Sequence, residues 1–233
     1  MIEICLMFHE VGLKLNSGFY NSKTYKYVIS KTEFLKLLKL SISISNKNNL
    51  KYSYTFDDGG ISNLCSAEVL HKLGLKGIFF VPTNYIGKKG FLTEKQILKI
   101  RDMGHKIGTH THFHPMFLNK FSFENQSHEW LKSIEILEKI LNDKVCYASA
   151  PNGFYNNDTF KILTNSNVKN FYSSSPTTSI KEINNIKLIG RFPIQKKFNN
   201  LKIIENNFYS HKSLYVRHQI LKYVKHILPI YWK

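Results

Sequence analysis

Short apolar runs alternate along the chain with longer segments whose apolar residues recur at helical spacing. The runs predict buried strands at residues 2–8, 52–56, 76–81, 105–109, 145–148, 169–172 and 186–189. Five helices are predicted between these strands. The first begins at Ser30 or Thr32 and ends before a polar loop at 43–49, and another begins at the Thr93 capping box and ends at about residue 103. The other three cover residues 62–73, 122–142 and 156–166. About seven parallel βα units follow one another without a linker, so we predict one barrel-like α/β domain over residues 1–233.

Composition agrees with a single globular domain, since 42% of the residues are hydrophobic and 21% are charged. The three cysteines are isolated and form no disulfide framework, which favours a reducing compartment. The first residues lack a basic region followed by a long apolar run, so no signal peptide is predicted. Together these features predict a cytoplasmic protein.

The formal net charge of +17 would attract nucleic acid, anionic lipid or an acidic glycan. The lysines are spread along the chain, which favours a general compositional bias, and no nucleic-acid-binding motif is present. No nucleic-acid partner is therefore predicted.

Only residues 211–233 concentrate the charge, in a predicted basic and apolar C-terminal helix. This helix either rests on anionic lipid at the inner membrane surface or closes the barrel with its basic face in solvent.

Candidate chemistry begins where the strand at 52–56 ends in Asp57 and Asp58, followed by two glycines. Adjacent carboxylates repel each other, so this pair suggests a bound cation. His110 and His114 follow a later strand, and on a helical turn their spacing of four places both imidazoles on one side. Two histidines and one carboxylate leave a fourth coordination position for water, as in hydrolytic metal centres. Taken singly, each motif is also typical of a turn or a surface histidine.

These residues carry a family resemblance. The segment Thr55-Phe56-Asp57-Asp58-Gly59 and the segment His110-Thr111-x-x-His114-Pro115 resemble the first two motifs of the polysaccharide deacetylases, the NodB-homology carbohydrate esterases. Similar segments lie at 77–81, 102–108 and 129–138, and the resemblance is strongest over 52–155. Residues 6–11 resemble the start of members from exopolysaccharide loci. The resemblance implies a distorted (β/α)7 barrel.

The resemblance also implies roles for single residues. Asp58, His110 and His114 would bind a divalent metal ion, usually Zn²⁺, and Asp57 would be the general base. The third motif of the family falls at residues 150–153, where the backbone N–H of Asn152 would stabilise the oxyanion.

Two family features are missing at their expected positions. No arginine precedes Pro151, so Arg191 is a candidate to position the base. Alternatively, Arg191 is a surface or barrel-end arginine without such a role. The late Leu-x-His motif that supplies the general acid is not visible. His9, at the end of the first predicted strand, is the candidate for the acid or for substrate binding, the alternative being a structural histidine.

The predicted activity is metal-dependent removal of N-acetyl groups from an amino sugar. The substrate would be an N-acetylated surface glycan or its lipid-linked or nucleotide-linked precursor, with residues 10–30 and 173–190 shaping the groove. Two alternatives stay open at this point: hydrolysis of another non-peptide C–N amide, and a glycan-binding protein with a degenerate deacetylase site.

Overall fold

The computed structural model describes residues 2–12, 17–19, 24–47 and 50–196. The strands are β1 Ile2–Phe8, β2 Glu10–Val11, β3 Val28–Ile29, β4 Leu50–Phe56, β5 Gly77–Val81, β6 Lys106–Thr109, β7 Tyr147–Ser149, β8 Asn170–Tyr172, β9 Ile180–Ile183, β10 Ile186–Ile189 and β11 Phe192–Pro193. The α-helices are α1 Lys31–Lys47, α2 Ser62–Lys72, α3 Glu94–Asp102, α4 Phe123–Leu141 and α5 Asn157–Thr164. The helix predicted at 211–233 lies outside the described residues, and the single domain over 1–233 stays a prediction.

A nine-stranded sheet runs in the order β11-β1-β4-β5-β6-β7-β8-β10-β9, and only β9 is antiparallel to its neighbour. β10 pairs with β8, while β11 pairs with β1 near the other end of the sheet. Only Gly190 and Arg191 separate these two strands, so the single segment 186–193 bridges the two sides and curls the parallel sheet. This arrangement confirms the predicted α/β barrel class, with eight mutually parallel strands, of which β10 and β11 belong to the one bridging segment.

The core below the candidate site is aromatic. The Phe56 ring stacks on Phe79 with centroids 4.6 Å apart and on Phe8 at 5.3 Å. Phe34 from α1 meets Phe8 edge-on at 5.2 Å. All four side chains are at most 1% exposed. Each such burial is worth about 1.5–3 kcal/mol, so β4 and the loop that follows it are anchored in rigid packing.

Several predicted boundaries need correction. α1 continues to Lys47 through the predicted loop at 43–49, because Ser43 and Asn46 are exposed while Ile44 packs against the core. β2, β3, β9 and β11 were not predicted, since strands of two to four residues carry too little periodicity to detect. The capping box is confirmed: Thr93 Oγ1 accepts from Gln96 N, and Thr93 N donates to Gln96 Oε1. Within the described ranges, no helix is long and apolar enough to cross a membrane.

Candidate functional site

The candidate metal centre forms where the loop after β4 meets the loop after β6. Asp58 Oδ1 lies 3.4 Å from His110 Nε2 and 3.2 Å from His114 Nε2. One ligand atom from each of the three residues lies within 4.8 Å of the others. Around a tetrahedral Zn²⁺ with bonds of about 2.0–2.2 Å, ligand atoms are separated by about 3.3 Å. The three side chains therefore fit a small divalent cation, as predicted from the two motifs.

Hydrogen bonds orient the histidines for such a cation. His110 Nδ1 donates to the carbonyl oxygen of Ser149 on β7 over 2.8 Å, which leaves Nε2 as the free acceptor facing Asp58. His114 Nε2 is buried and faces the same Asp58 oxygen over 3.2 Å, so the Nε2 atoms of both rings point toward the space where a cation would lie. Burial raises the pKa of Asp58, but its contacts with His110 and His114 outweigh burial and hold the pKa well below its usual range. Asp58 is therefore a carboxylate at neutral pH.

The loop that presents the histidines is not the helical turn that the spacing suggested. Thr111 and His114 have φ angles of 65° and 56°, so the loop passes through left-handed conformations. Glu129 on α4 is buried and accepts the backbone N–H of His112 over 3.0 Å and of Phe113 over 2.8 Å. This carboxylate holds the loop in place. The sequence marked Glu129 only through the family resemblance, because its partners are backbone groups that no side-chain pattern identifies.

Asp57, next to the candidate ligand Asp58, is paired with Arg191. Arg191 Nη1 lies 2.6 Å from Asp57 Oδ1, and Nη2 lies 2.8 Å from Oδ2, with both side chains buried. The guanidinium also donates to Thr55 Oγ1, Ser149 Oγ and the carbonyl oxygen of Ser173. Burial raises the pKa of Asp57, but the charges of Arg191 and His110 lower the pKa by more than burial raises it. The pKa of Asp57 is therefore below its usual value. The structure thus brings Arg191 to the predicted base.

His9 and Asn152 follow β1 and β7, the strands that flank β4 and β6 on their outer sides. The His9 ring stacks on Tyr27 at 4.4 Å, and its Nδ1 has no partner in the described part of the chain. Burial lowers the pKa of His9, while the charges of Asp58 and Asp57 oppose that shift. Asn152 is exposed and has φ 54°, and its N–H makes no hydrogen bond with a described residue. The roles of both residues stay predictions.

An aromatic wall beside the metal centre was not predicted residue by residue. Phe19 stacks on the His114 ring with centroids 4.4 Å apart and meets Tyr85 at 4.6 Å and Phe91 at 5.0 Å. The only sequence signal was the aromatic character of the segment 10–30, which was expected to shape the substrate groove.

Comparison with known proteins identifies the family. The sequence model of the polysaccharide deacetylases matches residues 45–171, more than half of the chain. The chain belongs to the polysaccharide deacetylase family. Among relatives of this family, YxkH of Bacillus subtilis (strain 168), a provisionally assigned polysaccharide deacetylase, is 34% identical over 108 residues. That match covers 46% of the chain and only 38% of YxkH.

Solved structures share the fold of this deacetylase-family chain. IcaB from Ammonifex degensii superposes with a TM-score of 0.74 at 19% identity, covering 88% of the chain and 96% of IcaB. The Streptococcus pyogenes deacetylase PplD superposes with a TM-score of 0.72 at 21% identity, covering 88% of the chain and 97% of PplD. At these identities the likeness establishes the curled parallel barrel.

Proposed function

We propose that the chain is a metal-dependent hydrolase that removes N-acetyl groups from an amino sugar. The substrate would belong to a surface polysaccharide or to its lipid-linked or nucleotide-linked precursor. One observation carries the proposal: the adjacent carboxylates have different surroundings. Asp58 faces His110 and His114, whereas Asp57 is held by Arg191 through two hydrogen bonds. A metal ligand and a general base are two roles that carboxylates can fill in metal-assisted amide hydrolysis.

Asp58, His110 and His114 would hold the metal ion. Two imidazole nitrogens and one carboxylate oxygen are a donor set typical of catalytic Zn²⁺, which we propose as the cofactor. When bound, such an ion lowers the pKa of a coordinated water to about 7 and polarises a carbonyl group. The preference for Zn²⁺ over other divalent ions is part of the proposal.

Asp57 is proposed as the base that takes a proton from the attacking water. Its lowered pKa keeps the carboxylate ionised at neutral pH. Arg191 holds both carboxylate oxygens and acts as a positioning residue, because it restricts Asp57 to one orientation. Thr55 and Ser149 in turn fix the guanidinium. The carboxylate of Asp57 is therefore already oriented before the reaction begins, which lowers the entropic cost of positioning the base.

Asn152 and His9 are proposed to serve the other side of the acetamide. The Asn152 N–H would donate to the oxygen that becomes negatively charged when water adds to the carbonyl carbon. One such donor is worth about 10²–10³ in rate. His9 would give a proton to the sugar nitrogen as the C–N bond breaks. Because burial lowers its pKa, His9 must take up this proton during the cycle, and the nearby Asp57 and Asp58 favour the charged form.

Two further features bear on the alternatives. The complete Asp-His-His group and the paired Asp57 support a hydrolase over a glycan-binding protein with a degenerate site. Hydrolysis of another non-peptide C–N amide stays open, because the metal centre and base would be the same. Membrane association was predicted from residues 211–233, which lie outside the described residues, and it stays a prediction, as does a cytoplasmic location.

The decisive experiment measures metal content and acetate release on the same purified protein. We expect about one metal ion per chain and acetate release from chitooligosaccharides or UDP-N-acetylglucosamine. Asp57→Asn should abolish release while retaining the metal. The matched control is Asp143→Asn, an exposed aspartate that follows α4 at the opposite end of the barrel. Bound metal without acetate release from any N-acetyl sugar would contradict the deacetylase, and a chain without metal would contradict the mechanism.

A further inference from the structure

The segments that follow the carboxyl ends of the parallel strands surround the candidate site, and they are basic. Their described parts contain the lysines Lys26, Lys88, Lys89, Lys120 and Lys196, all of them exposed. The carboxylates in the same described parts are Glu10, Asp57 and Asp58, and none of these is exposed. After four of these segments, the next carboxylates along the chain, Glu33, Glu94, Glu124 and Asp158, stand in the first turns of helices, where helix dipoles favour negative charge.

Four lysines of the described residues lie over aromatic rings, and three of these pairs connect to the site. The first of the three adjoins His9. Lys26 Nζ lies 5.1 Å from the centre of the Tyr27 ring, a cation–π geometry. Tyr27 in turn stacks on the His9 ring at 4.4 Å. One positive charge is therefore held a single ring away from the proposed acid.

The second pair adjoins the metal ligand His114. Lys88 Nζ lies 4.9 Å from the centre of the Tyr85 ring. Tyr85 contacts Phe19 at 4.6 Å, and Phe19 stacks on His114 at 4.4 Å. This charge, on the loop after β5, is therefore separated from His114 by two rings, Tyr85 and Phe19.

The third pair adjoins the proposed oxyanion donor. Lys120 Nζ lies 5.0 Å from the centre of the Phe117 ring. Phe117 contacts Phe154 at 5.2 Å, two residues beyond Asn152. The three pairs thus connect through ring contacts to three different parts of the site.

At the opposite end of the barrel, some lysines have carboxylate partners, whereas Lys72, Lys106 and Lys169 form no salt bridge with a described carboxylate. There, Lys51 lies 3.9 Å from Glu3 and Lys144 lies 3.6 Å from Glu138, so carboxylates partly neutralise them. Lys88 and Lys120 form no salt bridge with any carboxylate in the described segments. Their charges stay available to an anion, beside rings on which a sugar can pack.

We propose that the glycan deacetylated at this site is anionic: an N-acetylated polymer that also carries carboxylate or phosphate groups. The inference rests on the proposed function. The pairs Lys26–Tyr27, Lys88–Tyr85 and Lys120–Phe117, here called the lysine–aromatic rim, would hold the sugars flanking the reactive unit. The ammonium groups bind the anionic substituents, and the rings contact the apolar faces of the sugars. The exposed Phe113 and Met116 make an anionic bilayer the competing occupant.

Binding is measured on the Asp57→Asn variant, so that affinity does not depend on turnover. The probes are heparosan oligosaccharides, which bear a carboxylate on every second sugar, UDP-N-acetylglucosamine for phosphate, and neutral chitooligosaccharides equal in length to the heparosan. We expect at least one anionic probe to bind about 10-fold more tightly than the neutral one at low salt, with the advantage falling as salt rises. If neither anionic probe binds more tightly, the proposal is wrong.

Two triple variants locate the effect. Replacing Lys26, Lys88 and Lys120 together by glutamine should weaken the favoured anionic probe by about 10-fold and leave neutral binding within about twofold, since exposed ion pairs contribute modestly. The control replaces Lys72, Lys106 and Lys169, exposed lysines toward the other end of the barrel, and removes the same total charge. If both triple variants lost the same affinity for the anionic probe, the preference would result from net charge alone and the inference would be overturned.

The remaining outcomes separate this inference from the proposed function. Preferential anionic binding that depends on the rim, without acetate release by the unmutated chain, would refute deacetylation and leave an anionic-glycan site. Acetate release that is faster from the neutral probe and insensitive to the rim would support deacetylation and refute the anionic substrate. In a last outcome, the unmutated chain sediments with phosphatidylglycerol vesicles, the rim variant does not, and the chain shows no preference among the sugars. This outcome would assign the surface to a membrane and overturn the inference.

Discussion

The two halves of the candidate site differ in how completely the chain satisfies their polar groups. On the water-activating side, Asp57 receives two hydrogen bonds from Arg191, and His110 donates to Ser149. On the leaving-group side, His9 Nδ1 and the Asn152 N–H have no partner within the described residues. A base works best in one fixed orientation and charge state, whereas an acid and an oxyanion donor need a free group for the substrate. This contrast agrees with the proposal that Asp57 activates the water while His9 and Asn152 act on the leaving group and the oxyanion.

Backbone conformation links the two halves. Asp58, Thr111, His114 and Asn152 are four of the seven described non-glycine residues with positive φ. Such conformations cost about 1–3 kcal/mol each in strained cases and persist where the surroundings enforce them. Thr111 is β-branched, which makes its left-handed conformation especially costly. The packing of β4, β6 and α4 therefore stabilises the strained loops that carry the candidate metal ligands.

The largest expected effect comes from removing a ligand. His114→Ala should lower metal content from about one ion per chain to near zero and reduce acetate release by at least about 10⁴-fold, because water is then no longer activated. The measurements are metal analysis and initial rates. The control is His128→Ala, an exposed histidine on α4, which should retain both. Full metal content in His114→Ala would remove this residue from the ligand set.

Replacing His9 tests the leaving-group half. His9→Gln should lower kcat by about 10²–10⁴-fold with unchanged metal content, the range for a lost general acid. An unchanged kcat would leave the acid unassigned.

The same variant carries a pH signature. Because burial lowers the pKa of His9, the unfolded chain binds its proton more readily. Stability of the unmutated chain should therefore fall relative to His9→Gln as pH drops below about 6.5. Urea unfolding at pH 7.5 and pH 5.5 measures the difference. A constant difference would show that the folded environment does not disfavour the charged form.

Replacing Arg191 tests whether the pairing serves the base. Arg191→Ala leaves Asp57 buried without its partner, so the free energy of unfolding should fall by about 3–5 kcal/mol and activity by about 10²-fold. Arg191→Lys should recover part of the stability and less of the activity, since lysine cannot hold both oxygens. The pKa of Asp57 is lowered, so its stabilising effect is present above about pH 4 and lost as pH falls further. A stability loss without any change in kcat would make Arg191 purely structural.

The smallest effect is expected at Asn152. Asn152→Gly keeps the backbone N–H and relieves the positive φ, so activity should stay within a few-fold and stability should change by about 1 kcal/mol or less. Asn142→Gly, at another left-handed position at the end of α4, is the control for the backbone effect alone. If Asn152→Gly lost activity by more than about 10²-fold while Asn142→Gly did not, the side chain would be the functional group.

Much of this arrangement was predictable from the sequence, for identifiable physical reasons. The Asp57-Asp58 pair and the His110/His114 pair each follow a strand with clear apolar character, so parallel pairing brings them together. The helical turn proposed for the histidines was wrong, because Glu129 and the left-handed Thr111 set a different loop. Arg191 was only a candidate, since its approach to Asp57 depends on β11, a two-residue strand without periodicity.

The bridging segment 186–193 has a consequence for inactivation. The same short stretch joins the two sides of the sheet and carries Arg191, the partner of the proposed base Asp57. Local unfolding that separates β11 from β1 would therefore remove Arg191 from Asp57 while the helices and the other strand pairs remain folded. We therefore expect closure of the barrel and the proposed activity to be lost together, at a lower temperature than that at which the bulk of the secondary structure melts.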